Sequence, residues 1–273
     1  MGDNQQANRN GDEMELAIRT EKLARSFSGK LAVDHIDVQV ERGSFYGFLG
    51  PNGAGKSTTI KMLTGLLQPS AGRIEVLGKN MLNASESIEV KRSIGVIPEN
   101  LALFENLTAM EYLIFVGRIH GLERDLIRQR SVELLDLLDL ENDPKKVSSD
   151  FSHGMRKKLS LAAALLHRPK LLFLDEPFEG VDAVASRTIR ELLAQFTSNG
   201  GTVFLTSHVL EIVERLCTHV GIIVSGKLVA QSSLQELVEG GSLEKAFIRA
   251  AEGSAIEQPT AKLDWLAPEG AGS

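Results

Sequence analysis

Among its 273 residues the chain has a single cysteine, Cys217. No intrachain disulfide can form, which suits a reducing compartment. Nor does any window approach the ~18 consecutive apolar residues of a membrane-spanning helix. Basic residues are not in excess: 30 Lys and Arg stand against 36 Asp and Glu, a net charge of −6, and they are scattered along the chain. Duplex nucleic acid requires a basic footprint, so no nucleic-acid partner is expected. The first residues, Met1 to Glu13, are polar and lack the apolar stretch of a secretory signal. Residues 1–15 therefore read as a disordered arm. The expectation is a soluble, cytosolic protein with enough apolar residues for a sizeable core, in one large domain or two small ones.

What the chain does contain is Gly50-Pro51-Asn52-Gly53-Ala54-Gly55-Lys56-Ser57, followed by Thr58. It follows the apolar run Phe45-Tyr46-Gly47-Phe48-Leu49, which reads as a buried strand, and precedes Ile60, Leu63 and Leu66 at helical spacing. Strand, Gly-x-x-x-x-Gly-Lys-Ser, helix is the full context of a phosphate-binding P-loop. Glycines let successive backbone N–H groups turn inward, and with the helix N-terminus these donors form an anion cradle. Lys56 can then reach the β- and γ-phosphates, and the Ser57 hydroxyl can ligate Mg²⁺. The loop is expected to bind a nucleoside triphosphate.

Upstream, Leu16, Ile18, Ile36, Val38 and Val40 alternate with polar residues, the pattern of half-buried antiparallel strands. Arg25-Ser26-Phe27-Ser28-Gly29 reads as a loop between strands, and the Phe27 ring there could stack on a base or simply join the core. Gly72 to Gly78 and Ser93 to Ile97 are further strands, the second closed by Pro98-Glu99. Helical patterning then takes over until about His167. Thr108-Ala109-Met110-Glu111 is a capping box for a helix stopped by Gly121. A second helix is expected from about Arg124 to Leu140, closed by Asn142 and Pro144, and a third from Phe151-Ser152-His153-Gly154-Met155 to Arg168. Lys170 to Asp175 is a buried parallel strand ending in a carboxylate, with Glu176 and Pro177 next. Asp182 can cap the following helix, which stops at Asn199-Gly200-Gly201. Thr202 to Thr206 is another buried strand, with Ser207-His208 at its end. A helix from Val209 to Cys217, a hairpin turning at Ser225-Gly226, a capped helix at Ser233 and a last helix from Leu243 to Ala251 complete the pattern. The P-loop, Glu99, Asp175-Glu176 and His208 all fall at carboxyl ends of strands, where open α/β sheets gather ligand chemistry.

These motifs resemble the nucleotide-binding subunit of an ATP-binding cassette (ABC) transporter over about residues 16–240. Phe151-Ser152-His153-Gly154-Met155 is similar to the ABC signature in the form found in stand-alone subunits of bacterial type 2 exporters. Leu171 to Pro177 resembles a Walker B strand with its catalytic glutamate, Gly180-Val181-Asp182 the D-loop, and His208 the switch histidine. The resemblance implies an α/β P-loop NTPase with a mainly parallel core sheet, an antiparallel β subdomain and an α-helical subdomain inserted at about 100–168, followed by an extension over 241–273. It also implies adenine stacking on Phe27, Mg²⁺ held by Ser57, Asp175 and Glu99, water polarised by Glu176, and γ-phosphate contact by His208. The signature turn, Ser152 to Met155, and Asp182 would close over ATP bound to a second subunit. The chain would then pair with a copy of itself as an ATP sandwich and hydrolyse two ATP. With no membrane span of its own, it would lie on the cytoplasmic face of the cell membrane and drive a separate integral-membrane permease.

Two residues depart from the family pattern. Glu99 stands where glutamine is usual, which adds a negative charge near the triphosphate and is expected to alter Mg²⁺ dependence. His153 replaces a signature glycine at a tolerant position. An alternative is a soluble ABC ATPase acting on the ribosome or DNA, although such proteins usually fuse two cassettes or carry a long coiled coil. A non-catalytic regulatory module is the third reading, against which Lys56, Asp175, Glu176 and His208 all speak.

Overall fold

The computed structural model describes residues 15–140, 146–239 and 241–252. The chain opens with β1 (Leu16–Phe27), β2 (Lys30–Ile36), β3 (Gln39–Glu41) and β4 (Phe45–Leu49), then α1 (Lys56–Leu63). Next come β5 (Ala71–Val76), β6 (Lys79–Asn80), α2 (Ala84–Ser93) and β7 (Ile94–Ile97). Helices α3 (Ala109–Ile119), α4 (Arg124–Leu137) and α5 (His153–Leu166) form the insert, and β8 (Leu171–Asp175) resumes the sheet. The rest is α6 (Ala183–Ser198), β9 (Thr202–Ser207), α7 (Leu210–Leu216), β10 (His219–Val224), β11 (Lys227–Ser233), α8 (Leu234–Val238) and α9 (Leu243–Glu252).

Two sheets organise these elements. The six-stranded one runs β11-β10-β4-β9-β8-β7, parallel throughout except for the antiparallel edge strand β11. The five-stranded one is antiparallel, in the order β2-β1-β5-β6 with β3 also paired to β1. Both faces of the parallel sheet are covered, which explains why its strands read as unbroken apolar runs rather than alternating ones. Leu172, Leu174, Val203 and Leu205 point into a core shared with the helices, whereas Leu171, Phe173 and Phe204 point to α1 and the antiparallel sheet. On that second side Phe204 centres an aromatic cluster with Tyr46 and Phe48 at 5.4 Å and Phe173 at 5.7 Å.

The expected fold class is the observed one, with local differences. Phe27 is not in a loop: it is the last residue of β1, because pairing with Lys30 extends the strand to the tight turn at Ser28-Gly29. The second insert helix stops at Leu137 rather than Leu140, as Asp139 takes a left-handed φ of 49° that breaks the helical path. Its expected stops Asn142 and Pro144 lie outside the described residues, as do Gly240, the arm over 1–14 and the tail beyond 252. Helix α2 was not expected. Its start is legible in retrospect, since the Asn83 side chain accepts from the N–H groups of Ser85 and Glu86. Among the described residues, no helix is long and apolar enough to cross a membrane.

Candidate active site

The loop between β4 and α1 is built around backbone approaches that exclude side chains. A Cβ at Gly50 would sit 2.3 Å from the Ile223 carbonyl oxygen, and one at Gly55, with φ +110°, would sit 2.5 Å from the Ala32 carbonyl. Gly55 also caps α1 without a side chain, so the helix's first N–H groups take no cap from the chain and face outward as donors. Lys56 is 6% exposed; its Nζ donates to Gly50 O at 2.8 Å and Pro51 O at 3.3 Å, and lies 3.5 Å from Glu176 Oε1. Its ammonium is thus held over the loop mouth. Asn52, Gly53, Gly55, Ser57 and Thr58 line a cleft of about 440 Å³ with Lys56, and the far wall carries Glu99, Glu176, Glu179 and His208.

Strand periodicity supplies the acidic wall. Residues two apart share a face, so Asp175 follows Leu171 and Phe173 toward α1. There its Oδ1 lies 3.3 Å from the Ser57 hydroxyl, which is also 3.3 Å from Glu99 Oε2; one hydroxyl proton serves either carboxylate in turn. Thr206 on β9 donates its hydroxyl to Asp175 Oδ1 and accepts the Glu176 N–H at 3.1 Å. Glu176 then leaves the strand with φ +49°, a left-handed conformation rare for a side-chain-bearing residue. That turn aims its carboxylate between Lys56 and His208, whose Nδ1 is 3.1 Å from Glu176 Oε2. Glu176 Oε1 is buried and accepts no hydrogen bond from the protein.

A hydroxyl and two carboxylates meeting at Ser57, Asp175 and Glu99 suit a hard cation such as Mg²⁺, which binds through one or two carboxylates together with substrate phosphates. Among the described residues, no group of three or more His, Cys, Asp or Glu side chains could hold a metal by itself.

The remaining predicted residues lie apart from this cleft. Phe27, 45% exposed with the Arg25 guanidinium 4.7 Å from its ring, borders an adjoining hollow of about 350 Å³ that shares Ala32 and Gly53 with the first. Ser152 caps α5, accepting the Met155 N–H at 3.2 Å. Asp182 caps α6, and the Ala185 N–H holds its carboxyl below the usual range. His153 is exposed, and its ring lies so close to Gly180 that a Cβ there would meet it at 2.7 Å. The signature turn therefore rests on the segment leading to Asp182, while Ser152, His153, Gly154 and Met155 do not line the P-loop cleft.

Sequence reasoning passed over Thr206, Glu179 and Lys157. Lys157 had a signal: it shares the helical stripe of Leu161 and Ala164, where an apolar residue belongs. It is 2% exposed and donates to the Glu176 carbonyl oxygen at 2.6 Å.

A family model described as ABC transporter matches residues 33–179. The chain is 39% identical over 225 residues to the bacitracin transport ATP-binding protein BcrA of Bacillus licheniformis, covering 82% of this chain and 72% of that protein. It is 37% identical over 220 residues to the linearmycin resistance ATP-binding protein LnrL of Bacillus subtilis, covering 81% and 70%. A solved structure of an ATP binding subunit of an ABC transporter superposes with a TM-score of 0.80 at 29% identity, covering 86% of this chain and 99% of that one.

Proposed function

The chain belongs to the ABC transporter family, as an ATP-binding ATPase, and from that membership we propose that it is the motor subunit of an exporter, working as a head-to-tail pair of copies beneath a separate integral-membrane permease. The observation that carries the proposal is the meeting of Lys56, Ser57, Asp175, Glu176 and His208 at the carboxyl ends of β4, β8 and β9.

In this reading the amides at the start of α1 and the Lys56 ammonium grip the triphosphate of ATP, and the Phe27 ring receives the adenine. Ser57, Asp175 and Glu99 would hold Mg²⁺, which when bound neutralises charge on the phosphate oxygens. Glu176, its Oε1 accepting no hydrogen bond from the protein, polarises the attacking water and takes its proton as the γ-phosphorus–oxygen bond to ADP breaks. His208 steadies the carboxylate through Oε2 and reaches toward the γ-phosphate.

The signature turn supports pairing. It is a second helix N-terminus with phosphate-binding chemistry, yet it is turned away from the chain's own P-loop cleft. Glycine at position 154 serves no internal need: an added Cβ would meet nothing nearer than Ser152 Oγ at 4.0 Å, and φ is ordinary. Close approach by something outside the chain accounts for it, and the ATP of a second copy fits. ATP then bridges the copies, so binding favours closure and hydrolysis releases it.

A permease would dock in the groove of about 440 Å³ beside β7, between α3 and α5, where Leu101, Leu103, Tyr112 and Val116 present apolar surface and Phe104 at the margin is 53% exposed. Docked there, the chain would lie on the cytoplasmic face of a membrane. The relatives named for bacitracin transport and linearmycin resistance support an exporter. The test is Glu176→Gln. It should bind ATP, lose turnover by about 10²–10⁴-fold and elute from gel filtration as a dimer when ATP is present. A monomer under those conditions removes the pairing, and parent-level turnover removes the catalytic role.

A further inference from the structure

Lys157 is a buried ammonium that the chemistry above leaves without a role. It projects from α5 one turn beyond the signature residues and is 2% exposed. Burial lowers its pKa, while the carboxylates of Glu179, Glu176, Asp175 and Glu99 oppose that shift. Taking an ammonium out of water is costly unless it is well partnered. Its hydrogen bond is to a main-chain atom, the Glu176 carbonyl oxygen, at 2.6 Å.

The peptides on either side of Glu176 are therefore gripped from different directions. Its N–H donates to Thr206 Oγ1 at 3.1 Å and Thr206 O at 3.3 Å, both on β9 of the central sheet. Its C=O accepts from Lys157, on the helix that begins at the signature turn. Between these two anchors the backbone holds φ +49°, the turn that directs the carboxylate to Lys56 and His208. One anchor belongs to the sheet and the other to the helical insert, so a displacement of α5 acts directly on the peptide carrying the catalytic group.

We propose that Lys157 is a positioning residue that ties the signature helix to the carboxylate of Glu176 in the same subunit, so that seating of α5 on a partner's nucleotide sets the geometry of this subunit's own hydrolytic site. The inference rests on the proposed function, in which Glu176 is the base and the signature turn meets ATP in the partner copy. A lysine that only neutralised the acidic cluster would affect folding and nucleotide affinity. A positioning residue affects turnover with both of those intact.

Lys157→Met keeps the buried stem and removes the donor; Lys157→Arg restores a donor and the charge. Steady-state ATPase, ATP-dependent dimerisation by gel filtration and thermal melting are measured for both, with Glu176→Gln alongside. The Met variant should lose kcat by about 10- to 100-fold, the cost of a misplacement of the order of an ångström. Its KM for ATP, ATP-dependent dimer and melting temperature should stay at the parent's values, and the Arg variant should recover most of the rate. A Met variant within about twofold of the parent's kcat overturns the inference, as does a loss of rate that tracks a raised KM or a lowered melting temperature. Should Lys157→Met not fold, Lys157→Gln takes its place under the same criteria. Glu176→Gln at the parent's rate would remove the proposed function itself; an inactive Glu176→Gln beside a fully active Lys157→Met removes only the coupling.

Discussion

Thr206 shows how much of the site depends on single polar contacts. Its side chain is fully buried, yet the hydroxyl both donates to Asp175 Oδ1 and accepts the Glu176 N–H, so one residue orients two carboxyl-bearing neighbours. Glu99 is the opposite case, exposed and held by one contact, the Ser57 hydroxyl at 3.3 Å. An amide in its place would keep an oxygen ligand and discard a negative charge beside Asp175. Glu99→Gln should therefore need more Mg²⁺ for half-maximal turnover, because a neutral oxygen attracts a divalent cation less strongly than a carboxylate. A Mg²⁺ titration of steady-state ATPase reads this directly, and superimposable curves for parent and variant would reject a metal role for Glu99.

At the scale of elements, most strands and helices were legible because they pair local punctuation with a clear apolar pattern. Thr108 and Glu111 cap α3 reciprocally, Asp182 caps α6, and the apolar runs of β8 and β9 match burial on both sides of the sheet. Phe27 was misplaced because nothing local distinguishes a residue at a strand end from one in the turn beyond it. Helix α2 was passed over because only Ser87 and Val90 are buried on it, too little apolar patterning to announce a helix. The left-handed turn at Glu176 arises from tertiary neighbours and leaves no periodic trace, and Lys157 leaves only a charge in an apolar helical stripe, which does not name its partner.

The joint between insert and sheet carries its own pH dependence. His120 ends α3 and His167 ends α5; their rings stack at 3.7 Å, and His167 Nε2 donates to the Ile94 carbonyl of β7 at 2.9 Å. Burial, then the neighbouring His120 and Arg130, pushes His167 down to about 4, against an ordinary 6.5. The unfolded chain thus takes up this proton before the folded one does. Stability from the neutral ring is complete above about pH 6.5 and is lost as pH falls toward 4, by at most about 3 kcal/mol and less because solvent reaches part of the ring. Urea unfolding midpoints for the parent and His167→Gln, compared between pH 7 and 5, should converge as pH falls. A constant difference between them would show that the ring does not stay neutral on folding.

For the whole molecule, the decisive feature is that two helix N-termini suited to a phosphate, those of α1 and α5, lie in places that do not share a cleft. If each hydrolytic site combines the P-loop of one copy with the signature turn of the other, defects in the two should complement across subunits. Lys56→Ala disables the P-loop, and Gly154→Asp sets a carboxylate against the incoming phosphate, where the chain's own packing tolerates a side chain. Each variant alone should be nearly inactive, since every site in its dimer contains the defect. In a mixed dimer one site collects both defects and the other collects neither. Random pairing then predicts about a quarter of the parent's ATPase on mixing equal amounts, half the dimers having one intact site of two. Should the mixture stay as inactive as its components while gel filtration shows that mixed dimers form, each chain must complete its own site, and the head-to-tail arrangement is wrong.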